Sequence, residues 1–473
     1  MTTGTVAAID LGATSGRVIV GEVGADRLST TTVARFANDP VRTLDGLHWN
    51  VLGLYGAALA GLREAFRGDA EIRSIGVDSW AVDYALLRNG RMLGEPFHYR
   101  DERTRRGVLR VHGRARQPEL FSRNGLQFLP FTTVYQLSAE PAELLEVADT
   151  LLLIPDLIGY WLTGVRRAER TNASTTGLLH AHDGQWDGVL LDRLGVRRSL
   201  LPELLAPGDT LGALTDDVAA SLTAPAGTPV TAVGSHDTAS AVVAVPMQAE
   251  RAAYISCGTW GLVGVEVERP VLTEAVRAAN FTNEGGVDGR TRLLRNVMGL
   301  WILSETVRGW EREGVSVELS ELLAAAAEVP AASVPVFDVD DARFLPPGDM
   351  TARIDAWCLE HDVPAPSSRA AYARSIVESL AEAFARTAHD AARLGGVALE
   401  AIHVVGGGAL NELLCQRTAD RAGLPVIAGP VEATALGNIL VQARALGLTG
   451  TTLESLRELV ARTHELRRFA PRR

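Results

Sequence analysis

The fold turns on Val6-Ala-Ala-Ile-Asp10-Leu-Gly-Ala-Thr-Ser-Gly-Arg17-Val-Ile-Val20. It opens as a short apolar run that ends on a carboxylate, Asp10. A Gly/Ser/Thr turn follows, and Val18-Ile-Val resumes the extended pattern. Strand, turn, strand is a β-hairpin whose tip offers backbone N–H and hydroxyl donors. Such a tip can hold phosphates as a nest of amides, or it can be an ordinary tight turn. Asp10 favours the first reading, because a phosphate site usually needs a carboxylate to place Mg2+.

About one domain length on, Ala253-Tyr-Ile-Ser-Cys-Gly-Thr259-Trp-Gly-Leu-Val-Gly-Val-Glu-Val267 repeats the pattern of strand, Gly-Thr turn and strand. Two hairpins of one kind point to a duplicated domain, each copy with its own phosphate-binding tip. A chain of 473 residues accommodates two large domains, and the expected division is 1–245 and 246–473.

Between the hairpins lies Gly234-Ser-His-Asp-Thr-Ala-Ser-Ala241. The strand-like Pro229-Val-Thr-Ala-Val leads in, and a small-residue helix over 239–245 leads out to Pro246. Asp237 thus stands at a helix mouth, where exposed amides favour negative charge. It is either a catalytic carboxylate or a simple cap.

Asn50 predicts a cap for a helix whose Leu52, Tyr55, Leu59, Leu62 and Phe66 form a core stripe. Asp78, Trp80 and Asp83 cluster between the strand patterns 72–78 and 82–87. A ring packed on C–H faces, with carboxylates accepting hydroxyl hydrogens, suits a polyol; a half-buried Trp with two turn aspartates is the plainer alternative. Leu151-Leu-Leu-Ile-Pro-Asp reads as a helix start, Thr171-Asn-Ala-Ser-Thr-Thr as a hydroxyl-rich loop, and Asn296 as lying at a helix N-terminus. A long amphipathic helix is predicted from about Ser368 to Leu394. After it, strand 402–405, Gly406-Gly-Gly and a helix from Asn411 allow a nucleotide close to backbone.

Composition narrows the chemistry. The net charge of −11 argues against nucleic acid as a partner. No apolar run approaches a membrane span, so a cytoplasmic protein is expected. Cys257, Cys358 and Cys415 are scattered, which supports neither a disulfide framework nor a zinc site. All 46 basic residues are arginine. Without lysine there is no Walker-A loop, no protein-kinase strand lysine and no Schiff base. Phosphates would be met by glycine-rich backbone, hydroxyls, arginine and metal.

Several runs together resemble the FGGY carbohydrate kinases of the actin–hexokinase–Hsp70 superfamily. They are Asp10-Leu-Gly-Ala-Thr-Ser-Gly-Arg17, Asp78-Ser-Trp-Ala-Val-Asp83, Tyr99-Arg-Asp, Gly125-Leu-Gln-Phe-Leu-Pro-Phe and Thr171-Asn-Ala-Ser-Thr-Thr. Further on come Ser235-His-Asp-Thr-Ala-Ser-Ala, Gly258-Thr-Trp, Thr282-Asn-Glu-Gly-Gly, Asn296-Val-Met-Gly-Leu-Trp and Val404-Val-Gly-Gly-Gly. The likeness runs from about residue 6 to Phe469-Ala-Pro.

That resemblance implies an α/β fold: two actin-like (ribonuclease H-like) domains, each a mixed β-sheet with flanking helices, around an interdomain cleft. The activity implied is ATP-dependent phosphorylation of L-rhamnulose at its 1-hydroxyl, with Mg2+. Ala13, Thr14, Ser15, Gly16 and Arg17 would hold the ATP phosphates, with Thr259 and Gly407 as further nucleotide contacts and Asp10 reaching Mg2+ through water. Ala81, Asp83, His236, Asp237, Thr238 and Asn296 would meet the sugar, Asp237 being the base. Ala81 stands where the family pattern often has Gly, and Ser304 where a Gln can touch nucleotide. A kinase for xylulose, fuculose or glycerol, and an actin- or Hsp70-like ATPase switch, stay open as alternatives, as does the oligomeric state.

Overall fold

The computed structural model describes residues 3–68 and 71–472. It divides into two compact units. The first comprises the chain up to Pro246 with Glu266–Leu293 and Ala433–His464; the second comprises Met247–Val265, Leu294–Glu432 and Glu465–Arg473. Two later segments therefore fold with the first unit.

In the first unit the opening hairpin is present. Gly4–Leu11 pairs antiparallel with Ser15–Val23, and Asp10 sits opposite Arg17. The first strand also lies parallel to Ile72–Ser79, with Asp10 alongside Asp78. Leu28–Ala37 extends the sheet on one side, and Pro229–Thr231 followed by Thr210–Ala213 extends it on the other. Gly4–Leu11 is buried along its whole length, which is why it reads as a continuous apolar run without alternation.

Parallel neighbours need a crossover, and the helix Val51–Arg67 supplies part of it. Asn50 caps this helix, accepting from the Gly53 N–H. Leu54, Ala58, Leu62 and Ala65 share a core with Ala7, Ile9, Val18 and Ile75 of the sheet. The buried face is turned from the predicted stripe: Tyr55, Leu59 and Phe66 line its margin, and Leu52 is exposed. A second helix of this unit, Ala433–Ala445, reaches the sheet through Gln442, whose Nε2 donates to the Ala7 carbonyl at 3.0 Å.

In the second unit Ala252–Cys257 pairs antiparallel with Trp260–Val267. Ala401–Val405 lies parallel to the first of these, and Val426–Ala428 lies parallel beyond it. The hairpin followed by a parallel strand thus repeats the first unit's plan. The long helix spans Arg369–Gly395, capped by Ser368, as its periodicity predicts. Its buried Glu378 carboxylate accepts from Arg374, Arg417 and Arg421, which ties it to the helix Glu412–Ala422.

Three local expectations are corrected. Thr150–Leu153 is a strand against Tyr84–Arg88, and the helix begins only at Ile154, with Pro155 in its first turn. The hydroxyl-rich run is not a loop but two short buried helices, Arg170–Ala173 and Ser174–Thr176. Asn296 lies on the strand Thr291–Met298, and the helix starts at Trp301.

Candidate active site

The first hairpin's tip is closed by the Gly12 N–H donating to the Ser15 carbonyl at 2.9 Å. Asn38, buried at the end of the third strand, braces it. Its N–H donates to the Thr14 carbonyl at 3.1 Å and its Nδ2 to the Gly12 carbonyl at 2.8 Å. Ala13 and Ser15 are half-buried, Gly16 is buried and Thr14 is exposed. Arg17 Nε donates to Asp10 Oδ2 at 2.8 Å.

Asp78, next to Asp10 in the sheet, accepts from Asn438 Nδ2 at 2.6 Å on Oδ2, while its buried Oδ1 has no hydrogen-bond partner. Burial, and then the charges of Asp10 and Asp237, push the Asp78 carboxyl well above the usual carboxylate range. A donor-free buried carboxylate oxygen beside a second carboxylate is a hard-oxygen set that suits a hydrated Mg2+. Among the described residues no three His, Cys, Asp or Glu side chains converge into a direct metal cage.

The Ser235–Thr238 turn is joined to the strand Ile72–Ser79 where the Ser79 N–H donates to the Ser235 carbonyl at 2.9 Å. From behind, buried Glu169 accepts from the Ser235 N–H at 3.0 Å and Oγ at 2.8 Å. It also accepts from Thr171 Oγ1 at 2.5 Å. Asn172 Nδ2 donates to the Ser235 carbonyl at 3.3 Å, so the hydroxyl-rich helix is a buttress for this turn.

His236 Nδ1 lies 3.1 Å from Arg292 Nη2 and 3.3 Å from Glu284 Oε2, and its Nε2 is 3.3 Å from Asp237 Oδ1. Burial acts to raise the Glu284 carboxyl, but His236 and Arg292 outweigh it and hold it below the usual range.

Asp237 is the first residue of the helix Asp237–Val243, and His236, at the cap position, makes no side-chain cap. Thr238 donates to Asp237 Oδ1 from its N–H at 2.5 Å and from its Oγ1 at 3.0 Å. With the side chain 30% exposed, Oδ2 is the oxygen left for a ligand.

Of Asp78, Trp80 and Asp83, the last two meet directly, and Asp78 pairs with Asn438. Four donors enclose Asp83: Trp49 Nε1 at 2.6 Å, Gln136 Nε2 at 2.7 Å, Trp80 Nε1 at 3.0 Å and the Tyr99 N–H at 3.2 Å. Burial raises its pKa to about 6 against those donors. Ala81, within this turn, is half-buried.

In the second unit Thr259 is at the hairpin tip, its carbonyl accepting from the Trp301 N–H at 3.3 Å. Asn296 is half-buried on its strand, and Gly407 is exposed at the start of the turn Gly407–Leu410. Gly406 before it has φ of 79°, a conformation that favours glycine. Ser304 is exposed on the helix Trp301–Arg312.

The residues missed from sequence are partners rather than ligands: Asn38, Glu169, Arg292 and Asn438. Glu284 lies inside the quoted Thr282-Asn-Glu-Gly-Gly run, which was the available signal for it.

Two units, each with a mixed sheet that opens on an antiparallel hairpin and continues in parallel strands, define the actin-like class of the ribonuclease H-like fold. The chain belongs to the FGGY family of carbohydrate kinases: the family's N-terminal domain matches residues 5–244 and its C-terminal domain residues 253–446. It is 41% identical to the rhamnulokinase of Pectobacterium atrosepticum over 99% of this chain and 93% of the relative. With the rhamnulokinase of Bacteroides thetaiotaomicron it shares 37% identity over 98% of this chain and 95% of the relative. Among solved structures, a ligand-bound xylulose kinase from Lactobacillus acidophilus superposes with a TM-score of 0.80 at 16% identity, covering 99% of this chain and 94% of that one. Plasmodium falciparum glycerol kinase with ADP gives a TM-score of 0.77 at 14% identity, covering 99% and 94%. These two likenesses speak for the fold.

Proposed function

We propose that this chain transfers the γ-phosphoryl group of ATP to the 1-hydroxyl of L-rhamnulose, giving L-rhamnulose 1-phosphate and ADP. The choice of sugar rests on near-full-length similarity to proteins named rhamnulokinase. The observation that carries the chemistry is Asp237, whose Oδ1 accepts twice from Thr238 and lies 3.3 Å from His236 Nε2, with the side chain 30% exposed.

In this reading Asp237 Oδ2 takes the proton of the 1-hydroxyl as that oxygen forms its bond to the γ-phosphorus and the bond to ADP breaks. Donation from the Thr238 N–H and Oγ1 to Oδ1 fixes the carboxylate's orientation, so the base needs no reorganisation as it acts. His236, Thr238, Asn296 and the backbone at Ala81 position the sugar, with Asp83 supporting that backbone from behind. Ala13–Arg17 meet the phosphates with amides and hydroxyls, and Thr259 and Gly407 meet the nucleotide. Asp10 would hold Mg2+ through water, with Asp78 alongside it as the second carboxylate. When bound, the ion offsets charge on the phosphate oxygens.

Asp237→Asn keeps the shape and removes the base. The expected result is a loss of sugar phosphorylation of about 10²–10⁴-fold, the usual worth of a general base, with ATP affinity unchanged by equilibrium titration. Turnover within a few-fold of the parent would exclude Asp237 from that role.

A further inference from the structure

The turn 80–83 contains a feature that its sequence does not announce. Val82 has φ of 67°, and the Asp83 N–H donates to the Ala81 carbonyl at 2.9 Å. This is a γ-turn of positive φ, a rare and strained form. A β-branched residue there is a genuine outlier, because its branched side chain crowds the backbone. Such strain persists only where the surroundings over-determine it, and it gathers at ligand sites.

The surroundings do over-determine it. The Val82 carbonyl accepts from Thr133 Oγ1 at 2.6 Å and from Gln136 Nε2 at 3.4 Å. Both donors lie on the helix Thr133–Ala139, and the same Gln136 amide holds Asp83 Oδ1 at 2.7 Å. On the other side, the Trp80 N–H donates to the Leu11 carbonyl at 3.2 Å, and the Trp80 carbonyl accepts from Asn172 Nδ2 at 3.5 Å. Asn172 also holds Ser235. The turn is therefore stretched between a helix that pins it and the strand end and buttress that carry Asp10 and Asp237.

We infer that the strained Val82 turn, clamped by Thr133 and Gln136, is the positioning device that fixes the Ala81 backbone for the sugar. Thr133, Gln136 and Asp83 touch no substrate; they act through Ala81. The inference rests on the proposed placement of the sugar beside Ala81 and Asp237.

Thr133 is fully buried, and Thr133→Val is nearly isosteric while removing the donor to the Val82 carbonyl. The expected effect is a rise of about tenfold in the sugar KM, with the ATP KM within about twofold of the parent. The decisive step is the double variant Thr133→Val/Val82→Gly. Glycine accepts positive φ without strain, so the clamp becomes dispensable. The sugar KM of the double variant is then expected within about threefold of that of Val82→Gly alone. A parental sugar KM in Thr133→Val overturns the inference. So does a tenfold loss that persists undiminished in the Val82→Gly background. The parent enzyme is first run on a panel of ketoses and polyols, and the variants are assayed with whichever sugar it turns over best. Failure of the rhamnulose assignment thereby shows in the parent, and failure of the clamp shows in the variants.

Discussion

His98 and Asp83 are buried within the same aromatic packing and titrate in opposite senses. Trp49 stacks on His98 with ring centroids 4.0 Å apart and donates to Asp83. Burial, and then the Arg100 charge, lower the His98 pKa from 6.5 to about 3. The unfolded chain takes up that proton near its ordinary pKa and the folded chain does not, so His98 contributes stability that is complete above pH 6.5 and lost as pH falls towards 3. Asp83, raised to about 6 by burial, acts the other way: the fold keeps a proton that the unfolded chain releases, and stability declines as pH rises from about 4 to about 6. In the parent the two effects oppose each other across that window. His98→Phe removes one of them. Urea unfolding at pH 7 and pH 5 is expected to show the variant gaining stability on acidification relative to the parent. An identical pH dependence in the two proteins would contradict the assignment.

At the scale of elements, the helix that carries Asp237 is placed by backbone contact. A Cβ on Gly437 would lie 1.8 Å from the Ser240 carbonyl oxygen, so the helices Asp237–Val243 and Ala433–Ala445 meet at a distance only glycine permits. Gly437→Ala forces one of them to move. A stability loss of about 1–3 kcal/mol, the usual cost of overpacking, is expected in urea unfolding. A fall in kcat of at least about tenfold is expected with it, since a displacement of the order of 1 Å at a catalytic group is costly. Parental kcat would show that the crossing does not set the position of Asp237.

The same scale shows what was legible in sequence. Val6–Leu11 and Ala253–Cys257 could be read because buried strands write themselves as apolar runs that end in a turn. Leu151–Leu153 is ambiguous in sequence because a short apolar stretch is equally a buried strand or the first turn of a helix. Thr171–Thr176 has residues of modest helix propensity, and its helices form because Glu169 takes the N–H groups of Thr171 and Asn172. The partners that finish the site lie far away along the chain: Arg292 is 56 residues from His236, and Asn438 is 360 from Asp78. No local pattern announces a contact of that range. The Val82 turn was hidden for a different reason, since valine is about the last residue that a positive φ would be read from.

At the scale of the molecule, each unit opens on the same hairpin, and the chain returns twice to the first unit, through Glu266–Leu293 and Ala433–His464. Those returns supply Glu284 and Arg292 behind His236, and Asn438 behind Asp78, so the surroundings of Asp237 are assembled from three separate stretches. Among the described residues no helix is long and apolar enough to cross a membrane. The sequence has no lysine, so every strongly basic side chain in this assembly is an arginine. Phosphorylation of L-rhamnulose is the activity expected of this assembly. ADP release by the purified chain, measured with ATP and Mg2+ across L-rhamnulose, L-fuculose, D-xylulose and glycerol and with no sugar, tests it most directly. The expected kcat/KM is highest for L-rhamnulose, with little ADP formed in the absence of sugar. A higher kcat/KM for another member of the panel, or sugar-independent ATP hydrolysis at the same rate, would contradict it.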